Sequence, residues 1–534
     1  MASSFSHLVQ VEVGGVQSYI FNGSRLREWR GASALLDRAE RVSVKDAVAA
    51  LEADVEVLRQ GGGVVVLGVP DGPDPEAVER AVVAAYRDAA PGAQVYSAHA
   101  PLKGTTQDDV QRSLSALTFA VERNRGTNLQ VDLQGDLLGA MARPCDSCGE
   151  RPAETSTEIS DDGRLVCTIC SEKGQHGGRV RRGQAHKSVL NRFRAYLEQG
   201  DDTGSHRVRP GDLASCLPDD LNAIAETGDA LALIQADGNS LGKTVQALTS
   251  LDQYEALAAQ IADAVEHALF ETLAQYGPEG GTLPWEILFL GGDDILVATA
   301  DHIALDVTTS LIRRIEQRTK AVFETAPLDD LGRSHLSMGV GIVVADPHVP
   351  IAVLRGLAYG LERSAKKRTY RLQNQDESAE VSTVDLHRIT GSGSASIPHI
   401  RDHVLQPRRR GTLHEAPLKV ELTQRPFTLE ELTDVIRVAQ SWNEAGLPNN
   451  KLHALRESLF TSPAEAMRTW THTVGRASKG RHGSWMNLNA LVSGSTGDDG
   501  YEQPPFAVRP AADDSDSPTA TTPLLDVLDV YALL

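Results

Sequence analysis

Short apolar blocks recur along the chain in a fixed order, and that order occurs twice. In the first stretch, "HLVQVEV" (7–13) alternates like a half-buried strand, and a helical pattern covers about 32–53. The segment "DVEVLRQGGGVVVLGV" (54–69) reads as a hairpin, followed by a helix at about 74–89 and the strand "AQVYSAHA" (93–100). In the second stretch, "LALIQA" (231–236) precedes a helix at about 252–275 and the hairpin "WEILFLGGDDILVATA" (285–300). A helix at about 302–323 and the strand "HLSMGVGIVVA" (335–345) complete it. Both stretches run β-α-β-β-α-β, the ferredoxin-like order, which lays the first strand beside the hairpin. Residues just after the first strand are therefore expected beside the hairpin turn. Two further segments carry helical periodicity. One is "PIAVLRGLAYGLERSAKKRTYR" (350–371); the other is "TLEELTDVIRVAQSWNEAG" (428–446), opened by the capping box Thr428 and Glu431.

The two hairpins share one pattern: apolar strand, two glycines, two more residues, apolar strand. Gly61 and Gly62 stand where Gly291 and Gly292 stand, but Gly63 and Val64 occupy the places of Asp293 and Asp294. Asp and Gly favour hairpin turns for local reasons, so an isolated GGDD is no more than a turn signal. Here a third acid, Asp237, ends the neighbouring strand in "QADGNSLGK" (235–243). Three carboxylates gathered at one spot repel unless cations sit between them. Two Mg²⁺ (or Mn²⁺) ions about 4 Å apart would remove the repulsion and form the clamp used for in-line phosphoryl transfer. Gly291 and Gly292 would let backbone approach a triphosphate with no Cβ in the way. Lys366, near the end of the helix at 350–371, is placed to reach a β- or γ-phosphate. A lysine there also serves as an ordinary surface charge that stabilises a helix end.

Composition narrows the setting. The chain has 534 residues and a formal net charge of −20, which argues against coating nucleic acid through overall charge. Local basic stretches remain as candidate RNA contacts or solvated faces: "RVRRGQAHKSVLNRFR" (179–194), "RSAKKRTYR" (363–371) and "PRRRG" (407–411). Four of the five cysteines form two pairs, Cys145-x₂-Cys148 and Cys167-x₂-Cys170, with 18 residues between them. That is zinc-ribbon spacing, and four thiolates with no open position describe a structural Zn²⁺ site. Cys216 reads as a small buried residue. No secretory pattern and no apolar run near the roughly 20 residues of a bilayer span is visible, so a cytoplasmic location is expected, with no membrane contact.

Taken in order, "VGGVQSYIF", "REWRGASALL", the four-cysteine ribbon, "ADGNSLGK", "FLGGDDILVA" and "ERSAKK" resemble one family over about residues 7–390. It is the large polymerase/cyclase subunit of type III CRISPR effector complexes, the Cas-ten or Cmr-two family. The resemblance implies an α+β chain with two palm domains, of which only the second carries GGDD, and conversion of ATP into cyclic oligoadenylate messengers in antiviral defence. It implies Asp237, Asp293 and Asp294 as metal ligands. Gly238, Asn239, Ser240, Gly291, Gly292 and Lys366 would meet the nucleotide, and RNA and other effector subunits would be partners. Two departures stand out. No His-Asp dipeptide of the family's N-terminal nuclease domain occurs, so DNA cleavage by such a domain is not expected. Asn239 also replaces the second acid of the family's Asp-Gly-Asp. The expected domains are a degenerate palm (1–140), the ribbon with linking helices (141–225), the second palm (226–396), a helical domain (397–492) and a flexible acidic tail with an apolar end (493–534). A non-catalytic RNA-binding scaffold and a diguanylate-cyclase-like enzyme are the alternatives.

Overall fold

The structure is a computed structural model. It describes residues 5–104, 106–127, 143–154, 163–185, 187–200, 204–375, 380–389, 396–401, 405, 408–413, 416–493, 501–509 and 518–534. The "TGSGSAS" linker (390–396), apart from Ser396, and Pro407 of the third basic stretch lie outside them.

Strand β1 (Phe5–Gly14) pairs antiparallel with β3 (Val64–Pro70) on one side and β4 (Gln94–Pro101) on the other. With β2 (Glu56–Gly61) at the edge, the sheet order is β2-β3-β1-β4. This is the ferredoxin-like arrangement, as the block order predicts. Val9, Val11, Val65 and Leu67 are fully buried on it. Helices α1 (Leu26–Arg38), α2 (Pro75–Ala89) and α3 (Gln107–Thr127) complete this palm. Asp74 caps α2 through the Glu76 amide, and Pro75 fills its first position.

The ribbon brings all four cysteine sulfurs within 4.8 Å of one another, around a small core of Val166 and Ile169. Helix α4 (Thr168–Arg181) leaves it and crosses α1 at backbone distance. A Cβ on Gly31 would lie 1.7 Å from the Lys173 carbonyl oxygen, and one on Gly177 would lie 1.8 Å from that of Arg27. The glycine of "REWRGASALL" thus seats the ribbon helix. Helix α5 (Val189–Glu198) follows, capped by Ser188. Within the basic stretch that contains it, Arg192 bridges Asp37 and Glu266 at 3.1 and 2.9 Å, and Arg181 pairs with Asp219.

The second palm repeats the plan with β5 (Leu231–Gly238), α6 (Leu241–Ala247), α7 (Leu251–Leu273), β6 (Trp285–Gly291), β7 (Asp294–Ala300), α8 (Asp301–Phe323) and β8 (Met338–Ala345). Helix α9 (Ile351–Gln375) and β9 (Thr383–Arg388) extend it; with β12 (Phe427–Thr428) at the edge, the six-stranded order is β12-β9-β8-β5-β7-β6. Strand β9, parallel to β8, is not marked by any turn signal in the sequence.

The described chain divides into two compact units. One comprises Met1–Leu231, Ala236–Ala300 and Ser310–Ser337; the other comprises Ala232–Gln235, Asp301–Thr309 and Met338–Leu534. In the second unit, β10 (Arg408–Leu413), β11 (Ala416–Glu421) and β12 (Phe427–Thr428) lead into α10 (Leu429–Glu444), α11 (Asn449–Thr461) and α12 (Pro463–Gly475). Both halves of the Thr428–Glu431 capping box are formed. Trp442, Trp470 and Trp485 pack as a trio with ring centroids 5.0–6.5 Å apart.

Within the segment 493–534, expected as a flexible acidic tail with an apolar end, the structure describes 493, 501–509 and 518–534. The segment supplies β13 (Tyr501–Gln503), β14 (Phe506–Arg509) and β15 (Thr519–Thr521) to a five-stranded sheet, order β10-β11-β15-β14-β13. Its apolar end is helix α13 (Leu524–Tyr531), buried along most of its length and packed on α10. Two of its acids anchor it. Asp526 accepts from Thr423 Oγ1 at 2.7 Å and the Gln424 amide at 2.8 Å, and meets Arg425 Nε at 2.8 Å. Asp529 pairs with Arg425 and Arg456, each at 2.5 Å. Burial alone would raise the Asp529 carboxyl; the two guanidinium groups hold it below the ordinary carboxylate range.

Candidate active site

The second hairpin closes with Gly291 opposite Asp294, leaving Gly292 (φ +68°) and Asp293 as a two-residue turn. Asp237 is the penultimate residue of β5, and the next amide, that of Gly238, donates to Asp293 Oδ2 at 3.2 Å. A Cβ at 238 would lie 2.6 Å from that same oxygen, so any side chain there would displace the carboxylate. Asp293 is pushed up to about 8, first by burial, then by the charge of Asp237 and a hydrogen bond with it, with Asp294 adding to the repulsion.

Asp294 stands somewhat apart. Its Oδ2 accepts from Gln17 Nε2, a residue of the first palm, at 3.3 Å. Among the described residues, only the four cysteines bring three or more possible ligand atoms within 4.8 Å of one another. The expected trio of acids is therefore a touching pair with a third carboxylate at its flank.

A cavity of about 610 Å³ opens over this turn. Gly291, Gly292 and Asp293 form part of its wall, with Leu241, Tyr254 and Leu257 from the second palm. The first palm contributes Arg59, Gly61 and Phe119. Arg59 hydrogen-bonds with Tyr254 and senses the charge of Asp293; although burial works against its charge, these partners raise its pKa above the usual arginine value. Phe119 is 68% exposed and presents a bare aromatic face. The turns of the two palms meet backbone to backbone. A Cβ on Gly291 would lie 2.6 Å from the Gly62 Cα, and one on Gly62 would lie 3.1 Å from the Gly291 carbonyl oxygen.

The remaining candidates fare differently. Asn239, expected at the nucleotide, is fully buried: its amide and its Nδ2 donate to the Ser337 carbonyl and hydroxyl at 2.8 and 3.2 Å. It braces the end of β5, and the departure from Asp-Gly-Asp falls on a structural position. Ser240, half-buried at φ +60°, starts α6. Lys366 belongs to the second unit, where its ammonium meets Glu362 Oε1 at 3.4 Å. Gln17, Arg59 and Phe119 went unmarked in the sequence. Only "VGGVQSYIF" carried a signal, through the resemblance.

The four thiols fit zinc by number, chemistry and spacing. The touching pair Asp237 and Asp293 fits a hard divalent cation, whose charge would offset the repulsion that now favours a proton.

Residues 230–374 match the family model described as Cas10/Cmr2, second palm domain. No curated protein matches the chain by sequence. Among solved structures, the chain is similar to a Csm1–Csm4 cassette in complex with pppApApA (13% identity, TM-score 0.49, 89% of this chain and 64% of that one). It is also similar to Csm1 in T. onnurineus (14%, TM-score 0.47, 89% and 64%) and to the apo Csm1–Csm4 cassette (14%, TM-score 0.41, 68% and 53%). The chain thus spans between about half and two-thirds of the length of these solved chains. Among the described residues, no helix is long and apolar enough to cross a membrane.

Proposed function

We propose that this chain, whose residues 230–374 match the Cas10/Cmr2 second palm, is a nucleotidyltransferase that joins ATP into cyclic oligoadenylates in a type III CRISPR-like setting. The observation that carries the reading is the contact of Asp237 with Asp293 at the wall of a cavity lined by both palms. A half-buried pair of touching carboxyls is destabilising in a scaffold and useful where cations must bind.

Asp237 and Asp293 would hold the divalent ions, Mg²⁺ or Mn²⁺, with Asp294 alongside. Such ions supply charge neutralisation at a reacting phosphate. The chain's own residues do the rest. Gly238 fixes the Asp293 carboxylate through its amide, so the ligand is oriented before substrate arrives. Gly291 and Gly292 keep side chains off the floor, leaving room for a triphosphate. Arg59 offers a charge that stays positive throughout and can face a phosphate oxygen. Phe119 offers a stacking face for a base. The bond formed joins a ribose 3′-oxygen to an α-phosphorus, and pyrophosphate leaves. RNA and other effector subunits are the expected partners and the source of the trigger.

The test incubates the full chain with ATP and MgCl₂, alone and with candidate subunits and target RNA, and identifies products by mass. Pyrophosphate and linked adenylates are expected, and Asp293→Asn should make neither. If no nucleotide is consumed under any condition while RNA binds, the scaffold reading replaces this one.

A further inference from the structure

The first palm's turn carries no acid, yet it keeps three glycines and lies against the turn that does. We propose that Glu40 is a positioning residue for the catalytic turn, acting through the acid-free turn of the first palm. This rests on the nucleotidyltransferase reading for its kinetic consequence only.

The geometry is a short relay. Helix α1 widens after Arg38 into a π-helical turn, Ala39–Ser43. Such a turn inserts a residue into the helical register and often marks a functional position. Here it carries Glu40, which is 5% exposed, and Glu40 Oε1 accepts the Gly63 amide at 2.6 Å. The Gly63 carbonyl in turn accepts from the Val13 amide at 2.7 Å. The turn is thus held on both sides, by β1 and by a side chain from the helix. Gly62, its neighbour, packs on the Gly291 carbonyl, and Gly61 faces the Gly292 amide. One residue on is Asp293. Without the Glu40 acceptor, the Gly63 amide would be left buried and unpaired, and the turn would be free to shift off Gly291.

The carboxyl is held neutral. Its pKa is pushed up to about 8, by burial first and by Asp37 of α1 second; the Gly63 amide, Arg41 of its own turn and Arg192 of α5 oppose the shift. Tyr86 of α2 faces the same spot and is itself raised, first by burial and then by Glu40. A neutral acid in the folded chain and an ionised one in the unfolded chain mean that the native state binds more protons between about 4.5 and 8. Stability from this group is therefore full below about 4.5, falls as pH rises through that window, and levels off above about 8.

The experiment compares the full-length parent, Glu40→Gln and Glu40→Ala. Gln keeps an acceptor for Gly63 and cannot ionise; Ala keeps neither. Three readouts are taken: kcat and KM for ATP, hydrogen exchange of peptides covering 289–295, and melting temperature from pH 5 to 9. Glu40→Ala should lower kcat about tenfold with little change in KM and speed exchange at 289–295. Glu40→Gln should restore both to within about threefold of the parent. The parent's melting temperature should fall relative to that of Glu40→Gln as pH rises from 5 to 8. The inference is overturned if Glu40→Ala, still folded, leaves exchange at 289–295 unchanged, or if Glu40→Gln fails as badly as Glu40→Ala. Should the parent itself join no nucleotides, the functional reading fails, and exchange at 289–295 decides the role of Glu40 by itself.

Discussion

The hairpins at Glu56–Pro70 and Trp285–Ala300 share a frame and part company just after the paired glycines. Each pairs the residue before its turn with the residue after it, Gly61 with Val64 and Gly291 with Asp294. Each begins its turn with a glycine at nearly the same positive φ, +66° at Gly62 and +68° at Gly292. The second turn positions differ. Gly63 sits at φ +84°, a conformation that side chains avoid, whereas Asp293 is not among the residues with positive φ. The first turn therefore has no room for an acid, and the second does. The difference lies in turn geometry as much as in composition: one hairpin presents backbone, the other presents a carboxylate, and they meet face to face.

The comparison breaks first if the acid turn is not the chemical one. Asp293→Asn should reduce nucleotide joining to background. That loss should exceed the 10- to 100-fold typical of removing a residue that only supports a metal ligand. Its melting temperature without metal should not fall, because repulsion from Asp237 is relieved. Activity assays paired with thermal melts check both halves. A variant that keeps its activity would make the two hairpins equivalent after all.

Next in size is the tie between the palms. Arg30 of α1 makes two hydrogen bonds to Glu286 of β6, each at 2.7 Å, and both side chains are buried. Arg30→Ala strands the glutamate charge in the interior and is expected to cost about 3–5 kcal/mol of stability. Urea unfolding would measure it. If the turns depend on each other, catalysis should also fall in the fraction that stays folded.

A smaller effect sharpens the turn argument itself. Gly63→Asp would copy the second hairpin's sequence into the first. At φ +84°, with a Cβ 2.4 Å from Val16 Cγ2, it should cost about 1–3 kcal/mol and create no second centre. Gain of activity would show that composition, not backbone geometry, separates the hairpins.

These outcomes bear on what the sequence could reveal. Both palms were legible because the strand and helix periods repeat in order, and the turn glycines fixed the hairpin registers. The cysteine spacing gave the ribbon. The nearness of Asp237 to the acid turn followed from topology alone. Three things were hidden. The cavity wall from the first palm, Arg59 and Phe119, depends on how two sheets face one another, which no local pattern encodes. The burial of Asn239 on Ser337 depends on a residue nearly a hundred positions away. The docking of the apolar end at 524–531 was open in the sequence, because it depends on Asp526 and Asp529 closing on Arg425, about a hundred positions away.

The finest distinction concerns Asp294, the acid that stands off from the pair. Gln17 donates to its Oδ2 at 3.3 Å, so the first palm reaches the second hairpin through a side chain as well as through its turn. A hydrogen bond to a carboxylate fixes the direction of its free lone pairs, and such supporting contacts tune metal affinity without carrying much stability. Gln17→Leu removes the donor and nearly preserves shape. It should weaken Mn²⁺ binding about tenfold, read by isothermal titration, and leave the melting temperature almost unchanged. Tighter binding would carry the opposite lesson: Gln17 would then be restraining Asp294, and the first palm would hold the acid turn in reserve until a partner moves it.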